Sequence, residues 1–202
     1  MLTVYSSQLS GNCYKVRLLF TQLGIPFRVV EVDVVKGEQR SAEYRAKNPN
    51  AKVPMVELEN GEFLPESGAI LYYFAQNTPL WPLDPLAQTR VLQWMFFEQY
   101  SHEPHTAVAR FWVHYLNGEE KYKKQLIEKR KGGNRALAVM DGHLRDRSYF
   151  VGERYSIADI ALYAYTHVAP DGGFSLEPYP AVRAWLQRVE EQPRHIPITQ
   201  PC

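Results

Sequence analysis

The sequence is poor in cysteine, with only Cys13 and Cys202 among its 202 residues. Two cysteines do not make the disulfide framework of a small secreted protein, and one of them is the last residue. Residues 1–20 lack the basic start, apolar stretch and cleavage site of a signal peptide, and no apolar run reaches the roughly 18 residues of a membrane span. These absences predict a soluble cytoplasmic protein with no membrane partner.

A large excess of charge is also missing, because 23 Lys and Arg against 22 Asp and Glu give a formal net charge of +1. This balance argues against a nucleic-acid partner. The polar stretch Glu98–His105 does not complete a set of metal ligands, so no metal is expected. What is present is an ordinary globular composition, 45% hydrophobic, with a relatively high aromatic content of 13%.

The first part of the chain has the pattern of an α/β domain. Strands are predicted at Leu2–Tyr5 and Arg28–Asp33, joined by an amphipathic helix that ends at Gly24. Two strands connected in this way form a parallel βαβ unit. A hairpin with its turn at Asn60-Gly61 follows, and then a helix over Ser67–Gln76.

The second part has a helical pattern throughout. Asn77–Pro85 carries three prolines, which exclude a continuous helix or strand. We therefore expect an N-terminal domain at 1–78, a linker at 79–86 and an all-helical domain at 87–202. Helices are predicted at about 87–101, 104–117, 119–145, 156–168 and 180–191.

One helix start in this half is well defined by its sequence. Ser156 has the position of an N-cap, and Asp159 has the third helical position, as in a capping box. Since backbone groups would occupy both side chains, we interpret this pair as structural.

Ser10 and Cys13 form an S-x-x-C motif in the turn before the first helix. The amino end of a helix favours a thiolate, whether it belongs to the protein or to a ligand. A single cysteine cannot close an intramolecular disulfide here. From these residues alone, Ser10 is interpreted as a helix cap and Cys13 as a small buried apolar residue.

Two further motifs also allow two interpretations each. Val53-Pro54 is either an ordinary strand start or a cis peptide that exposes the Val53 backbone for strand-like pairing with a ligand. Glu66 and Ser67 either begin a helix only, or bind the ammonium and carboxylate of an amino-acid zwitterion.

In this order, the motifs resemble the cytosolic glutathione transferase superfamily over essentially the whole chain. The segment "NPNAKVPMVELENGEFLPESGAILYYFA" (Asn48–Ala75) follows the family pattern nearly position for position. The resemblance implies a thioredoxin-like domain followed by a helical domain, a homodimer, and glutathione as co-substrate. It also implies that Ser10 donates a hydrogen bond to the glutathione sulfur, as in the serine-type theta-, delta- and zeta-like classes. Tyr5 and Tyr14 do not match the tyrosine-type position.

The same resemblance implies a binding role for six residues. Val53 pairs with the cysteinyl backbone beside a cis Pro54, and Glu66 and Ser67 hold the γ-glutamyl end. Lys52 approaches the glycine carboxylate, together with Gln39, which falls where theta-like classes often have a histidine.

The thiolate would attack an apolar or electrophilic small molecule, a detoxification reaction. Its pocket is predicted from aromatic content and from the helices that line it in the family, although most such aromatics simply form core. The predicted pocket residues are Leu9, Tyr100, His102, Phe111, Trp112 and Tyr115. Glu98, His102 and Glu103 either reach the glutathione of a partner subunit or face solvent.

Three other functions remain open. One is glutathione-dependent reduction of disulfides or peroxides without a protein cysteine. Another is a non-catalytic glutathione-binding or protein-docking module, although such modules often lose the Glu-Ser or Val-Pro pair, and both are present here. A third is a Cys13-centred enzyme similar to the omega- or beta-like classes. The zeta-like isomerase is disfavoured because Ser10-Gly11-Asn12 does not match its S-S-C run.

Overall fold

The computed structural model describes residues 1–201 and divides the chain into two units. Residues 1–77 and 193–201 belong to the first unit, and residues 78–192 belong to the second. Cys202, the second cysteine of the sequence, lies outside the described residues.

The first unit is built on a four-stranded mixed sheet with the strand order β2-β1-β3-β4. Strands β1 and β2 are parallel, and β3 is antiparallel to both β1 and β4. The elements are β1 (Leu2–Ser6), α1 (Gly11–Leu23), β2 (Phe27–Glu31), α2 (Ala42–Lys47), β3 (Met55–Glu57), β4 (Phe63–Pro65) and α3 (Ser67–Ala75). This arrangement confirms the predicted α/β, thioredoxin-like N-terminal part.

Two glycines set the turns of this unit where the sequence predicts them. Gly24 adopts a left-handed conformation with φ 69° and donates its N–H to the last carbonyls of α1. Gly61 has φ 85° in the turn between β3 and β4, where Leu58 N–H bonds the Glu62 carbonyl at 2.8 Å. The parallel βαβ unit and the hairpin are both confirmed.

The second unit is helical, which confirms the predicted all-α part. Its α-helices are α4 (Pro85–Phe97), α5 (Glu103–Arg110), α6 (Lys123–Leu144), α7 (Ile157–Thr166) and α8 (Pro180–Glu190). The apolar face of α8 is buried as expected from its spacing, with Val182, Trp185, Leu186 and Val189 in the core.

The helices predicted at about 87–101 and 104–117 are both present, but no break separates them. The backbone stays helical from α4 into α5, with π-helical turns at Glu98–His102 and Phe111–Tyr115. Pro104 lacks an amide hydrogen and so removes one bond from the helical ladder. The wider π-turn directly before it accommodates this loss without ending the helix.

The capping box at the start of α7 is confirmed. The Ser156 hydroxyl accepts the Ala158 N–H at 3.3 Å, and the Asp159 carboxylate accepts the Ser156 N–H at 2.9 Å. Asp159 is fully buried and also accepts hydrogen bonds from Phe150 N–H and from the Trp185 indole N–H at 3.0 Å. Burial raises the pKa of Asp159 to about 6. The pair is structural, as its sequence indicates.

The end of the chain differs from the sequence interpretation, which placed it with the helical half. Residues 193–201, called here the C-terminal segment, group with the first unit. The reason is a set of donors on α1: Tyr14 Oη donates to the Ile196 carbonyl at 2.6 Å, and Arg17 donates to the Ile198 carbonyl at 3.2 Å. Within residues 1–201, no helix is both long enough and apolar enough to cross a membrane.

Candidate functional site

Ser10 lies between β1 and α1, at the N-cap of α1. Its backbone is extended, with φ −72° and ψ 125°, and its hydroxyl accepts the Cys13 N–H at a long distance of 3.4 Å. Accepting this bond uses an oxygen lone pair, so it leaves the hydroxyl proton for donation. The side chain is half-buried, and the first turn of α1 contains no acidic residue. The positive end of the helix dipole at Ser10 therefore favours an anion.

Cys13 has a different environment from Ser10, although it lies only one turn away. It is fully buried, and its Sγ accepts the Ser7 N–H at 3.2 Å. Burial raises the pKa of the Cys13 thiol above its ordinary value. Cys13 is therefore a buried thiol, as its position in the helical pattern predicts, and its environment does not favour the reactive thiolate of a Cys13-centred enzyme.

The Val53-Pro54 peptide bond is cis and directly precedes β3. The preceding carbonyl, that of Lys52, is fixed by two donors: Tyr44 Oη at 2.8 Å and Asn48 Nδ2 at 2.9 Å. Within residues 1–201, by contrast, the backbone N–H and C=O of Val53 make no hydrogen bond. They can therefore pair with an extended peptide-like ligand in the manner of an added strand.

Glu66 and Ser67 stand at the start of α3. Glu66 has the N-cap position with φ 72°, a left-handed conformation that is strained for a residue with a Cβ. Its carboxylate is exposed and accepts a hydrogen bond from Asn50 Nδ2 at 3.3 Å. Ser67 is buried beside it. The two side chains thus offer an anionic group and a hydroxyl at a helix amino end, which together suit an ammonium and a carboxylate.

Asn12 links the start of α1 to the start of α3. Its Oδ1 accepts the Ser67 hydroxyl at 3.4 Å and the ammonium of Lys15 at 2.8 Å. Lys15 is only 1% exposed, so its charge adds to the positive potential near both helix starts. Sequence reasoning missed Asn12 and Lys15. The signal was local, an Asn and a Lys three positions apart near the start of α1, but the bond between Asn12 and Ser67 depends on the packing of two helices.

Lys52 and Gln39 differ in their readiness to bind a ligand. Lys52 is exposed, and its ammonium has no ion-pair partner in the part of the chain that the structure describes. Gln39 lies in a short 3₁₀ turn, and its Nε2 is directed to the Val34 carbonyl at 3.5 Å. A carboxylate ligand can therefore reach Lys52 without rearrangement, while the Gln39 amide would first have to leave Val34.

The predicted pocket residues have varied environments. Leu9, in the first unit, is half-buried in the turn next to Ser10. In the second unit, Tyr100 is 86% exposed, whereas His102 is fully buried with its Nε2 3.1 Å from Thr166 Oγ1. Glu98 is buried as well, so neither Glu98 nor His102 presents a surface to a ligand in this structure.

The remaining aromatic residues of that prediction share the π-helical turn at Phe111–Tyr115. All three are partly exposed. Phe111 and Tyr115 lie with ring centroids 5.6 Å apart, and Trp112 stacks on Tyr122 at 4.7 Å. Part of each ring is thus engaged within its own unit. No group of three or more His, Cys, Asp or Glu side chains suited to a metal is found in residues 1–201.

Comparison with known proteins identifies the same family over both units. Residues 4–82 match the family model described as Glutathione S-transferase, N-terminal domain, and residues 105–193 match Glutathione S-transferase, C-terminal domain. The structure of a glutathione S-transferase from Pseudomonas fluorescens Pf-5 is 49% identical, covers 98% of this chain and 99% of its own, and superposes with a TM-score of 0.97.

Two more distant relatives differ in their described properties. Disulfide-bond oxidoreductase YfcG from Escherichia coli K12 is 29% identical over 90% of this chain and 87% of its own length. A glutathione transferase from Burkholderia graminis is 27% identical, covers 96% of this chain and 85% of its own, and has a TM-score of 0.83. That structure contains two glutathione molecules per protein subunit.

Proposed function

Because the chain belongs to the cytosolic glutathione S-transferase superfamily, we propose that it is a glutathione transferase in which Ser10 stabilises the thiolate of bound glutathione. The observation that carries this proposal is the contrast at the start of α1. Ser10 offers a half-buried hydroxyl at the positive end of the helix, beside the buried thiol of Cys13, and an anionic ligand sulfur is a stronger acceptor for its proton than a neutral thiol. The nucleophile is therefore the thiol of the ligand.

Glutathione would bind across the starts of α1, β3 and α3. The Val53 backbone, beside the cis bond to Pro54, pairs with the cysteinyl part of the tripeptide, because its N–H and C=O make no internal bond in residues 1–201. Glu66 receives the γ-glutamyl ammonium, and Ser67, with the amino end of α3, receives its carboxylate. Support for a glutathione ligand comes from the Burkholderia graminis relative, which binds it.

The glycine carboxylate at the other end of glutathione is assigned chiefly to Lys52. This ammonium is exposed and lies directly before Val53, so it can meet the carboxylate without moving other groups. Gln39 contributes only if its amide turns away from the Val34 carbonyl. We therefore assign Gln39 a smaller share of the binding free energy than Lys52.

The chemistry follows from activation of the thiol. An ordinary thiol has a pKa near 8.5, so only a few per cent of it is ionised at pH 7. A hydrogen bond from Ser10 and the α1 dipole stabilise the anion, and the proton passes to solvent. The thiolate then attacks an electrophilic carbon, forming a C–S bond while the leaving group departs with its electron pair. Leu9, next to Ser10, is proposed to contact the electrophile. A role in the electrophile pocket stays a prediction for Tyr100, Phe111, Trp112 and Tyr115.

The test is conjugation of glutathione to an activated aryl halide, together with calorimetric glutathione binding. Ser10→Ala should lower kcat/KM by about 100-fold, the usual scale for loss of one donor to a reacting anion, and leave glutathione affinity nearly unchanged. Ser41→Ala is the matched control, because Ser41 caps α2 by accepting the Tyr44 N–H and lies in the same unit. Full conjugating activity and an unchanged pH profile in Ser10→Ala would refute the assignment.

A second candidate function is glutathione-dependent reduction of disulfides, favoured by the relative named Disulfide-bond oxidoreductase. Here the glutathione thiolate would attack a substrate disulfide and displace one thiol, and a second glutathione would displace the other. Two glutathiones are oxidised to their disulfide and the substrate is reduced, with no protein cysteine involved. Parallel assays with a mixed disulfide, cumene hydroperoxide and an aryl halide rank reductase, peroxidase and conjugating activity.

A non-catalytic module and the oligomeric state are separate questions. Glutathione binding without turnover on any of the three substrates would favour the module, and absence of binding would refute all the enzymatic proposals.

We also propose a homodimer, as the family resemblance implies. Light scattering after size-exclusion chromatography should give twice the 23.4 kDa chain mass, and the chain mass alone would contradict it.

A further inference from the structure

Ser10 is the last residue of a tight turn, which restricts the backbone directly before it. Ser10 N–H donates to the Ser7 carbonyl at 3.0 Å, so Gln8 and Leu9 are the two central residues of a four-residue turn. The orientation of the peptide between them distinguishes one turn type from another. Whatever holds the Gln8 carbonyl therefore also determines where Ser10 is placed.

Arg17, about two turns along α1 from Ser10, holds this peptide. Its side chain is fully buried. Nη2 donates to the Gln8 backbone carbonyl, and Nη1 donates to the Gln8 side-chain Oε1 at 3.0 Å. Acceptors for its N–H groups stabilise a buried guanidinium, and both Nη1 and Nη2 have such acceptors here. Arg17 is thus fixed in place and fixes the centre of the turn.

The C-terminal segment, residues 193–201, supplies further acceptors for this arrangement. Arg17 donates to the carbonyls of Ile198 and Gln200, both at 3.2 Å. Gln8 Nε2 donates to the same two carbonyls, at 3.1 and 2.7 Å. Hydrogen bonds therefore join the turn, the guanidinium and the segment to one another. The buried Ile198 side chain anchors the segment.

We propose that Arg17, Gln8 and the C-terminal segment are positioning elements for Ser10, an inference that rests on the proposed function. Loss of the Ile198 and Gln200 carbonyls would leave two donors each on Arg17 and Gln8 without their acceptors. The guanidinium and the Gln8 side chain would then turn toward water, and the central peptide of the turn would lose its constraint. The Ser10 hydroxyl would no longer lie at a fixed distance from the glutathione sulfur.

Three variants test this, with the pKa of the bound glutathione thiol read from thiolate ultraviolet absorbance against pH. Arg17→Lys keeps the charge but replaces the planar fork with one ammonium. A truncation after Pro197 removes both carbonyl acceptors while keeping Ile196, the partner of Tyr14. Gln8→Ala changes a partly exposed side chain and leaves the core intact. It therefore provides the test if Arg17→Lys or the truncated chain does not fold. Arg28→Lys, an exposed arginine of the same unit that bonds Thr3, is the control.

Arg17→Lys and the truncation should raise the pKa of the bound thiol and lower kcat about 10-fold, with the glutathione dissociation constant unchanged and Arg28→Lys native-like. Gln8→Ala should also raise the pKa of the bound thiol and lower kcat, but by smaller amounts than the other two variants. Folded variants with a native thiol pKa and kcat would overturn the inference, and so would weaker glutathione binding with an unchanged thiol pKa. Ser10→Ala separates the two proposals: if it leaves the thiol pKa unchanged, the proposed function fails. If it raises the pKa and the three variants do not, only this inference fails.

Discussion

The helices α1 and α7 both have a serine at the N-cap, and the two starts differ in what their hydroxyl groups can do. At α7, Ser156 is buried and its hydroxyl both accepts the Ala158 N–H and donates to Asp159 at 3.1 Å. At α1, Ser10 is half-buried and accepts one long bond from Cys13 N–H. The same residue type at the same helical position thus donates to a buried carboxylate in one case and stands beside the neutral Cys13 thiol in the other. Both serines cap a helix, so capping does not distinguish their roles. The acceptor to which each hydroxyl donates its proton does.

The largest expected loss of stability follows from a substitution at the start of α7. Asp159→Ala removes the acceptor for Phe150 N–H, Ser156 N–H and the Trp185 indole N–H, all of which are buried. Each unsatisfied buried donor costs about 1–3 kcal/mol, so the free energy of unfolding at pH 5 should fall by about 4 kcal/mol. Urea unfolding followed by circular dichroism measures this, and a loss below about 1 kcal/mol would contradict the role of Asp159.

The pH dependence of stability should also come from α7 rather than α1. Burial raises the pKa of Asp159 to about 6, above its value of about 4 in an unfolded chain. The folded state then binds the proton more tightly, so this contribution is complete below about pH 4 and is lost as pH rises through 6. The stability gap between the native protein and Asp159→Ala should narrow by at most about 3 kcal/mol between pH 4 and 7. A gap that widens with rising pH would have the wrong sign.

Substitution of Ser156 and of Ser10 should change the stability of the protein by different amounts. Ser156→Ala should reduce the free energy of unfolding by about 1–2 kcal/mol, while Ser10→Ala should reduce it by less than about 1 kcal/mol because its capping bond is long. Activity should show the reverse order, with native-like kcat in Ser156→Ala. Equal stability losses with equal activity losses would remove the distinction between the two starts.

The smallest expected effect concerns the ligand carboxylate. Lys52→Ala should weaken glutathione binding by at most about 5-fold, since an exposed ion pair contributes about 0.2–1 kcal/mol. The effect should shrink at high salt because the pair is screened. Calorimetry at two ionic strengths measures it, with Lys36→Ala as the control, because Lys36 pairs with Asp33 at 3.0 Å. Equal affinities in Lys52→Ala and the native protein at low salt would remove Lys52 from the site.

Features encoded within a few residues could be read from the sequence. Asn60-Gly61 specifies a hairpin turn, Gly24 ends α1, and Ser156 with Asp159 forms a capping box; all three are confirmed. Each depends on backbone conformation or on hydrogen bonds between near neighbours. Local pattern therefore sufficed for most of the fold.

Features that depend on distant residues could not be read in this way. Arg17 and the Ile198 carbonyl are 181 residues apart along the chain, and nothing local in either segment indicates the other. Asn12 and Ser67 are likewise joined only by the packing of α1 and α3. For the candidate site, sequence patterns proposed the ligand-facing residues, whereas the buried groups that hold them in place became visible only in three dimensions.

The most direct test of Ser10 is the pKa of the thiol of bound glutathione. In the native protein this pKa should lie at least about one unit below that of free glutathione, equivalent to about 1.4 kcal/mol of thiolate stabilisation. In Ser10→Ala it should return most of the way to the free value, while Ser156→Ala keeps the native value. An identical thiol pKa in Ser10→Ala and the native protein would contradict the assignment of Ser10.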